Sequence, residues 1–428
     1  TELFYLPEKV ISGCVTYFDD LDSVFIGVTT REERYPKKDD NYIESDKMET
    51  NPEIKEADVD QEDPQMNEDV NDTQKETSSV VEHGSIFVLQ LESLKLEKCL
   101  DLNDNEVILS IDCLTQEKRQ LIAVGTAVKA VENSETNGYA RVYKVKDEDG
   151  QINMLQLDAA FLRGPVSRVC ECMGYLIVSH SQQIHAYNVQ KTMEPVAFYD
   201  SQVYAQDMKA IRNILIVSDR EFGTRLIHLS LQPPQFYSLA HIPNDGQRII
   251  PASSAAALSS ASREELSIAS IDINGLIHLY QFDPDSPESS GGSKLLPLQS
   301  FFSARSFSSF TSLVDKYDDV VSYGAAADGT VCLLSPLPEQ DFRALHIVSQ
   351  QVIDRGNSVL GTAGLNTRAF RALLTEQQSF ATSLVDLDLA RLFWSLPLDR
   401  QVFYAEKLGF DGLQRMRKAA DNRSPLKL

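Results

Sequence analysis

The chain has 428 residues, 42% of them hydrophobic, enough to bury a substantial core, so a wholly disordered chain is excluded. Its formal net charge is −23 and its pI about 4.7, which disfavours a direct grip on nucleic acid, where Lys and Arg must displace counterions condensed on the phosphates. Six scattered cysteines exclude a disulfide scaffold and fit a reducing compartment.

The chain opens on Thr1 rather than methionine, which points to a piece of a longer polypeptide. No signal peptide begins it, and no apolar run approaches the roughly 18 residues a membrane span needs. Val24-Phe25-Ile26-Gly27-Val28 reads as a strand, and Ser85-Ile86-Phe87-Val88-Leu89 as its partner across an insertion. Between Glu32 and Glu82, 18 Asp and Glu stand against 6 Lys and Arg, a net of −12. That stretch, placed at 32–83, cannot bury enough apolar surface to offset chain ordering, and is expected to be a disordered acidic insertion joining two strands of one sheet.

Short apolar runs bounded by Gly, Asp, Asn, Ser or Pro follow at 107–114, 121–128, 139–145, 152–157, 175–179 and 183–189. More stand at 214–218, 225–231, 236–241, 266–271, 276–282, 320–326 and 330–335. Many short strands without long helices between them predict an all-β domain. Cys170 and Cys172, two apart on a strand, share one face as small buried hydrophobes.

An internal repeat narrows the architecture. Ile184-His185-Ala186-Tyr187, Ile227-His228-Leu229-Ser230 and Ile277-His278-Leu279-Tyr280 share one pattern. Ile86–Leu91, Arg141-Val142-Tyr143 and Val331–Leu334 extend it at steps of about 40–55 residues, the size of a four-stranded propeller blade. Tight turns, Asp272-Ile273-Asn274-Gly275 and Asp328-Gly329, precede two copies. The expected fold is all-β: a β-propeller of about seven blades over 1–345, followed by a small α-helical domain over 346–428. The repeat histidines, radiating in separate blades, read as half-exposed strand residues and not as metal ligands.

Past His346, Gly364-Leu365-Asn366 leads into Phe370, Leu373, Leu374 and Gln377 at helical spacing, with Asn366 as N-cap. A second helix is expected from Ser383 through Leu384, Leu387, Leu389, Leu392 and Phe393, with Trp394 as a packing anchor at its end. A third starts near Pro397, with Val402, Phe403, Ala405 and Leu408 turned inward and Gly409 as terminator. The basic cluster Arg415, Arg417 and Lys418 reads as helix C-terminal charge. The sequence has no GxSxG, GxGxxG, P-loop or HExxH, its seven histidines lie singly, and its carboxylates converge nowhere outside the insertion. No catalytic residue, cofactor site or metal site is assigned. A propeller enzyme working at a central channel stays open as an alternative.

Three segments carry a family resemblance: GPVSRVCECMGYLIVSHSQQIHAYNV (Gly164 to Val189), VAFYDSQVYAQDMKAIRNILIVSD (Val196 to Asp219) and IASIDINGLIHLYQFDP (Ile268 to Pro284). They resemble blades of the tri-propeller family that unites the largest subunit of the cleavage and polyadenylation specificity factor, a large splicing-factor subunit and the large damage-specific DNA-binding protein. AGLNTRAFRAL (Ala363 to Leu373) resembles the cleavage and polyadenylation branch, whose pattern is AGLN, one residue, then RAFR. DLDLARLFWSLPLDRQVFYAEKLG (Asp386 to Gly409) suits the same branch, although Asp386-Leu387-Asp388 replaces the family's usual Asp-Gly and points to a divergent, unicellular or fungal member.

The resemblance covers Leu3 to Gly409 apart from the insertion. It implies the C-terminal third of that subunit: a last propeller and a helical domain in a nuclear, non-catalytic scaffold of pre-mRNA 3′-end processing. The implied partners are a WD-repeat subunit and a zinc-finger subunit that read the adenylation signal, with RNA contacted mainly through them and no membrane involved. Asn366, Arg368, Phe370 and Arg371 match the branch motif and are implied to pack helix against propeller or to touch a partner. Within the same family, a ubiquitin-ligase adaptor or a splicing-factor subunit is the alternative role.

Overall fold

The computed structural model describes residues 10–34 and 79–346 apart from short connections, together with 397–405 and the single residues Leu6, Val385, Leu387 and Gln414. Its strands follow one another as antiparallel meanders. The first sheet holds β1 (Val10–Phe18), β2 (Ser23–Arg34), β3 (Ser79–Gln90) and β4 (Lys95–Asp104) in that order. The second holds β5 (Glu106–Gln116), β6 (Arg119–Val128), β7 (Asn137–Glu148) and β8 (Gln151–Arg163). The third holds β9 (Val166–Cys172), β10 (Tyr175–His180), β11 (Gln183–Val189) and β12 (Met193–Asp200). The fourth holds β13 (Ala205–Ile211), β14 (Ile214–Asp219), β15 (Gly223–Leu231) and β16 (Pro234–His241).

A seven-stranded sheet completes the described strands. It divides into β17 (Ser254–Ser260), β18 (Arg263–Ile271), β19 (Leu276–Phe282) and β20 (Leu296–Phe302), then β21 (Phe307–Val314), β22 (Val320–Ala326) and β23 (Val331–Leu334). The single pairing Ser259↔Val320 joins the two parts. The fold is therefore all-β over these residues, in consecutive units of four strands and one of three.

The second strand of each unit explains how the units stack. β10 and β14 are buried at five of six positions and β6 at seven in a row, so both faces are covered and the sequence runs apolar without alternation. Along β6, Ile122 and Val124 face the first sheet beside Phe25, Ile86 and Ile111. Leu121 and Ala123 face the third beside Val169, Leu176 and Val178. The same alternation fills the seams between the third and fourth sheets, the fourth and fifth, and the last two units. Each fully buried Leu, Ile, Val or Phe there contributes about 1.5–3 kcal/mol over leaving it in water.

First strands pack in series, β1 on β5, β5 on β9, β9 on β13, β13 on β17 and β17 on β21. Fourth strands touch less, and several of their apolar residues stay in solvent: Leu155 and Phe161 on β8, Phe198 on β12, Tyr237 on β16. The two ends of the series differ from its middle. Ile11, Val15 and Tyr17 of β1, and Leu313 and Val314 of β21, are exposed, whereas the apolar residues of β5, β9 and β13 are mostly buried.

Two expectations need correction. The acidic insertion does not begin at Glu32 or end at His83, because the β2–β3 ladder continues through Glu32↔Val81, Glu33↔Val80 and Arg34↔Ser79. Backbone pairing carries a hairpin past its apolar segment when the side chains can remain in water. Residues 35–78 lie outside the described residues. Of the helices, a turn over 339–346 forms α1, with Leu345 packed against Leu337, Val385 and Leu387, and Leu398–Ala405 forms α2 directly after Pro397. On α2, Val402 and Phe403 are 43% and 49% exposed and so do not turn inward as expected, whereas Gln401 is buried. The first expected helix and Trp394 lie outside the described residues.

Candidate functional site

Polar side chains tie the first strands together, one sheet to the next. Thr16 Oγ1 on β1 donates to Asp112 Oδ1 on β5 at 3.4 Å. Asp112 Oδ2 accepts the Glu171 N–H of β9 at 3.2 Å, and Glu171 Oε2 accepts the Thr115 N–H of β5 at 2.8 Å. Arg168 of β9 donates to the Leu109 carbonyl at 3.0 Å and pairs with Asp207 of β13 at 3.5 Å. Asp207 Oδ2 then receives Lys209 Nζ and Ser254 Oγ, each at 2.5 Å, bringing in β17. Ser254 Oγ accepts the Phe310 N–H of β21 at 2.9 Å. Six first strands are thus linked in one direction.

These groups act as struts. Burial pushes the Asp112 carboxyl up to about 6, against the backbone N–H groups of Cys113 and Glu171 and the Thr16 hydroxyl that hold it down. Burial also pushes the thiols of Cys14, Cys113 and Cys172 up to about 12, keeping them protonated at neutral pH. Cys170 and Cys172 lie in the seam between the third and fourth sheets, as their spacing predicts. Among the described residues, no three His, Cys, Asp or Glu gather as a metal site, and no helix is long and apolar enough to cross a membrane.

A second polar assembly spans all four strands of the second sheet. Glu106 of β5, 1% exposed, accepts Arg141 Nε and Nη2 of β7, both at 2.8 Å, and Thr126 Oγ1 of β6 at 2.8 Å. Arg141 Nη1 reaches Gln156 of β8 at 2.9 Å, and its guanidinium lies 4.6 Å from the Tyr139 ring centroid. Beside it, Leu100, Asn103, Arg141, Tyr143, Met154 and Gln156 help line a cleft of about 220 Å³ between the first two sheets.

The repeat histidines occupy third strands, as their period requires. His185 faces Gln183 Oε1 at 3.3 Å and His228 faces Asn213 at 2.8 Å, both half-buried. His278 is more enclosed than expected, 7% exposed, with Nδ1 2.7 Å from Ser300 Oγ. His185 is not solitary: its ring centroid is 4.7 Å from that of buried His180. Asn366, Arg368, Phe370 and Arg371 lie outside the described residues. Sequence reasoning missed the strut residues, because a lone Asp or Arg between apolar residues reads as the wet side of a strand.

The exposed aromatics of the fourth strands also recur. Phe161 stands opposite Tyr139 with ring centroids 5.3 Å apart, Phe198 opposite His185 at 6.4 Å, and Tyr237 opposite His228 at 6.4 Å. Each ring is supported from its own sheet and open to solvent.

The chain is 28% identical over 315 residues to Protein CFT1 of Yarrowia lipolytica, covering 71% of this chain and 24% of that one. It is 27% identical over 353 residues to Protein CFT1 of Saccharomyces cerevisiae, covering 76% and 25%. To the cleavage and polyadenylation specificity factor subunit 1 of Arabidopsis thaliana it is 26% identical over 320 residues, covering 71% and 21%. The chain spans about a quarter of the length of these curated relatives. Residues 85–395, well over half of the chain, match the family described as the CPSF A subunit region, and the chain belongs to that family.

Proposed function

We propose that this chain is a non-catalytic scaffold in the nuclear machinery of pre-mRNA cleavage and polyadenylation, recruiting other subunits through the outer surfaces of a β-propeller. The carrying observation is the row of supported, solvent-open rings Phe161, Phe198 and Tyr237 on successive fourth strands. Aromatic anchors that are rigid before binding cost little ordering entropy, which is why such residues dominate protein interfaces. The names of the relatives, which include a cleavage and polyadenylation specificity factor subunit, supply the process.

A ring of about seven four-stranded blades over 1–345 accounts for the series of first strands, close together, and fourth strands, spread apart. A further blade between the exposed faces of β1 and β21 would cover Ile11, Val15, Leu313 and Val314. A helical domain over 346–428 would carry the branch motif, with Asn366, Arg368, Phe370 and Arg371 packing on the ring or touching a partner. The non-catalytic reading is supported by Asp112, Glu171, Asp207, Lys209 and Ser254, whose polar atoms serve strand-to-strand bonds. The net charge of −23 supports RNA contact through a WD-repeat subunit and a zinc-finger subunit.

Mass spectrometry of proteins recovered with a tagged full-length protein tests this role. Polyadenylation factors are the expected catch. A cullin, or branch-site splicing proteins in their place, would move the chain to another branch of the family.

A further inference from the structure

Arg225, His241 and Lys294 stand side by side in one row. Arg225 of β15 is paired directly with His241 of β16. Beyond His241 a parallel bridge brings in Lys294: the His241 N–H donates to the Ser293 carbonyl at 3.1 Å, and the Leu295 N–H donates to the His241 carbonyl at 2.9 Å. Directly paired residues in either kind of bridge project to the same face, and neighbouring strands lie about 4.8 Å apart. Three basic side chains therefore share one face across roughly 10 Å.

The row is unusual in a chain with 63 Asp and Glu against 40 Lys and Arg. Among the described residues, no carboxylate forms an ion pair with Arg225 or Lys294. Arg225 is half-buried, its guanidinium 5.5 Å from the Phe222 ring centroid and its Nε buried without a hydrogen-bond partner. The charges acting on the His241 ring are those of Arg225 and Lys294; with burial as the larger cause, they hold it below the ordinary histidine range. The Arg225 and Lys294 cations repel one another and disfavour a charged imidazole between them, and an anion among the three would relieve both effects.

We propose that Arg225, His241 and Lys294 form a phosphate-binding site that receives a phosphorylated segment of a partner polypeptide. The guanidinium offers paired N–H donors to a phosphate, the ammonium a point charge, and the imidazole a donor that becomes charged when an anion arrives. A polypeptide bearing one phosphate fits better than a polynucleotide, because three cations can balance a single dianion while the remaining field of the chain repels a polyanion. Anion binding raises the His241 affinity for a proton, so phosphate binding tightens as pH falls toward the histidine range.

The test uses the full-length protein and fluorescence anisotropy. Its probes are a labelled Gly-Ser peptide carrying one phosphoserine, the same peptide with Ser or Glu at that position, and a single-stranded RNA of similar length. The phosphopeptide is expected to bind in preference to the other three. Arg225→Gln should weaken it about tenfold or more, Lys294→Gln several-fold, and Arg225→Lys less than Arg225→Gln. His241→Asn should remove most of the tightening between about pH 7.5 and pH 6 that the protein shows beyond the probe's own phosphate titration. Near-ultraviolet circular dichroism checks that each variant folds, and Lys294→Gln, on a connection, decides the matter if Arg225→Gln does not. Absence of saturable phosphopeptide binding, equal binding by the variants, or tighter binding of the RNA would each overturn the site.

Discussion

The inner and outer edges of the sheets obey different rules. At the inner edge, β5, β9, β13 and β17 bury most of their apolar residues, and their polar side chains cross to the next sheet, as Asp112 does to Glu171 and Asp207 to Ser254. At the outer edge, Phe161, Phe198 and Tyr237 are 57%, 71% and 49% exposed, each supported by a ring of the adjacent strand. Strand order forces the contrast: sheets that converge along their first strands must diverge along their fourth. Burial and cross-sheet bonding thus concentrate away from the fourth strands, which leave apolar surface in solvent.

Substitutions can break that contrast, and the largest effect is expected inside. Arg141→Ala strands the Glu106 carboxylate, and chemical denaturation should register a loss of about 3–5 kcal/mol. Leu176→Ala, emptying a fully buried position in the seam between the second and third sheets, should cost about 2–5 kcal/mol by the same measurement. Gly138→Ala comes next, at about 1–3 kcal/mol, because its methyl group would lie 2.4 Å from the Thr126 carbonyl oxygen.

Asp112→Asn should sharpen the picture through pH. The native carboxyl, near 6, is a weaker acid than its ordinary value of 3.8, so the folded state holds the proton more tightly than the unfolded chain. The stability it contributes is complete below about pH 4 and is lost as pH rises through about 6. Urea titrations should find the variant gaining about 1–3 kcal/mol on the parent between those limits, after allowance for the shielded position of Asp112. The smallest effect belongs outside: Phe198→Ala should change stability by no more than about 0.5 kcal/mol.

Much of this arrangement was legible from sequence, and the unread part follows a pattern. Ile86–Leu91, Arg141–Tyr143, Ile184–Tyr187, Ile227–Ser230, Ile277–Tyr280 and Val331–Leu334 all fall on or at third strands, β3, β7, β11, β15, β19 and β23. Second and third strands are covered on one or both faces, so their apolar periodicity survives. First and fourth strands hide more easily. Within β4, Lys95, Glu97, Lys98 and Asp101 make the outer edge look like a loop, and Pro195 interrupts β12. Within β17 the buried run is Ser254-Ala255-Ala256-Ala257-Leu258, whose first four residues are small, let neighbouring strands approach and carry no strand signature. The struts were illegible for a related reason, since pairing Asp207 with Lys209, Arg168 and Ser254 depends on three strands meeting.

One measurement bears most directly on the division between a stabilising inner edge and a recruiting outer edge. Partner subunits recovered with full-length protein carrying Phe161→Ala, Phe198→Ala and Tyr237→Ala together should be quantified beside the recovery from the unaltered protein. The account predicts a loss of partners with a denaturation midpoint almost unchanged. Full partner recovery by the triple variant would contradict it.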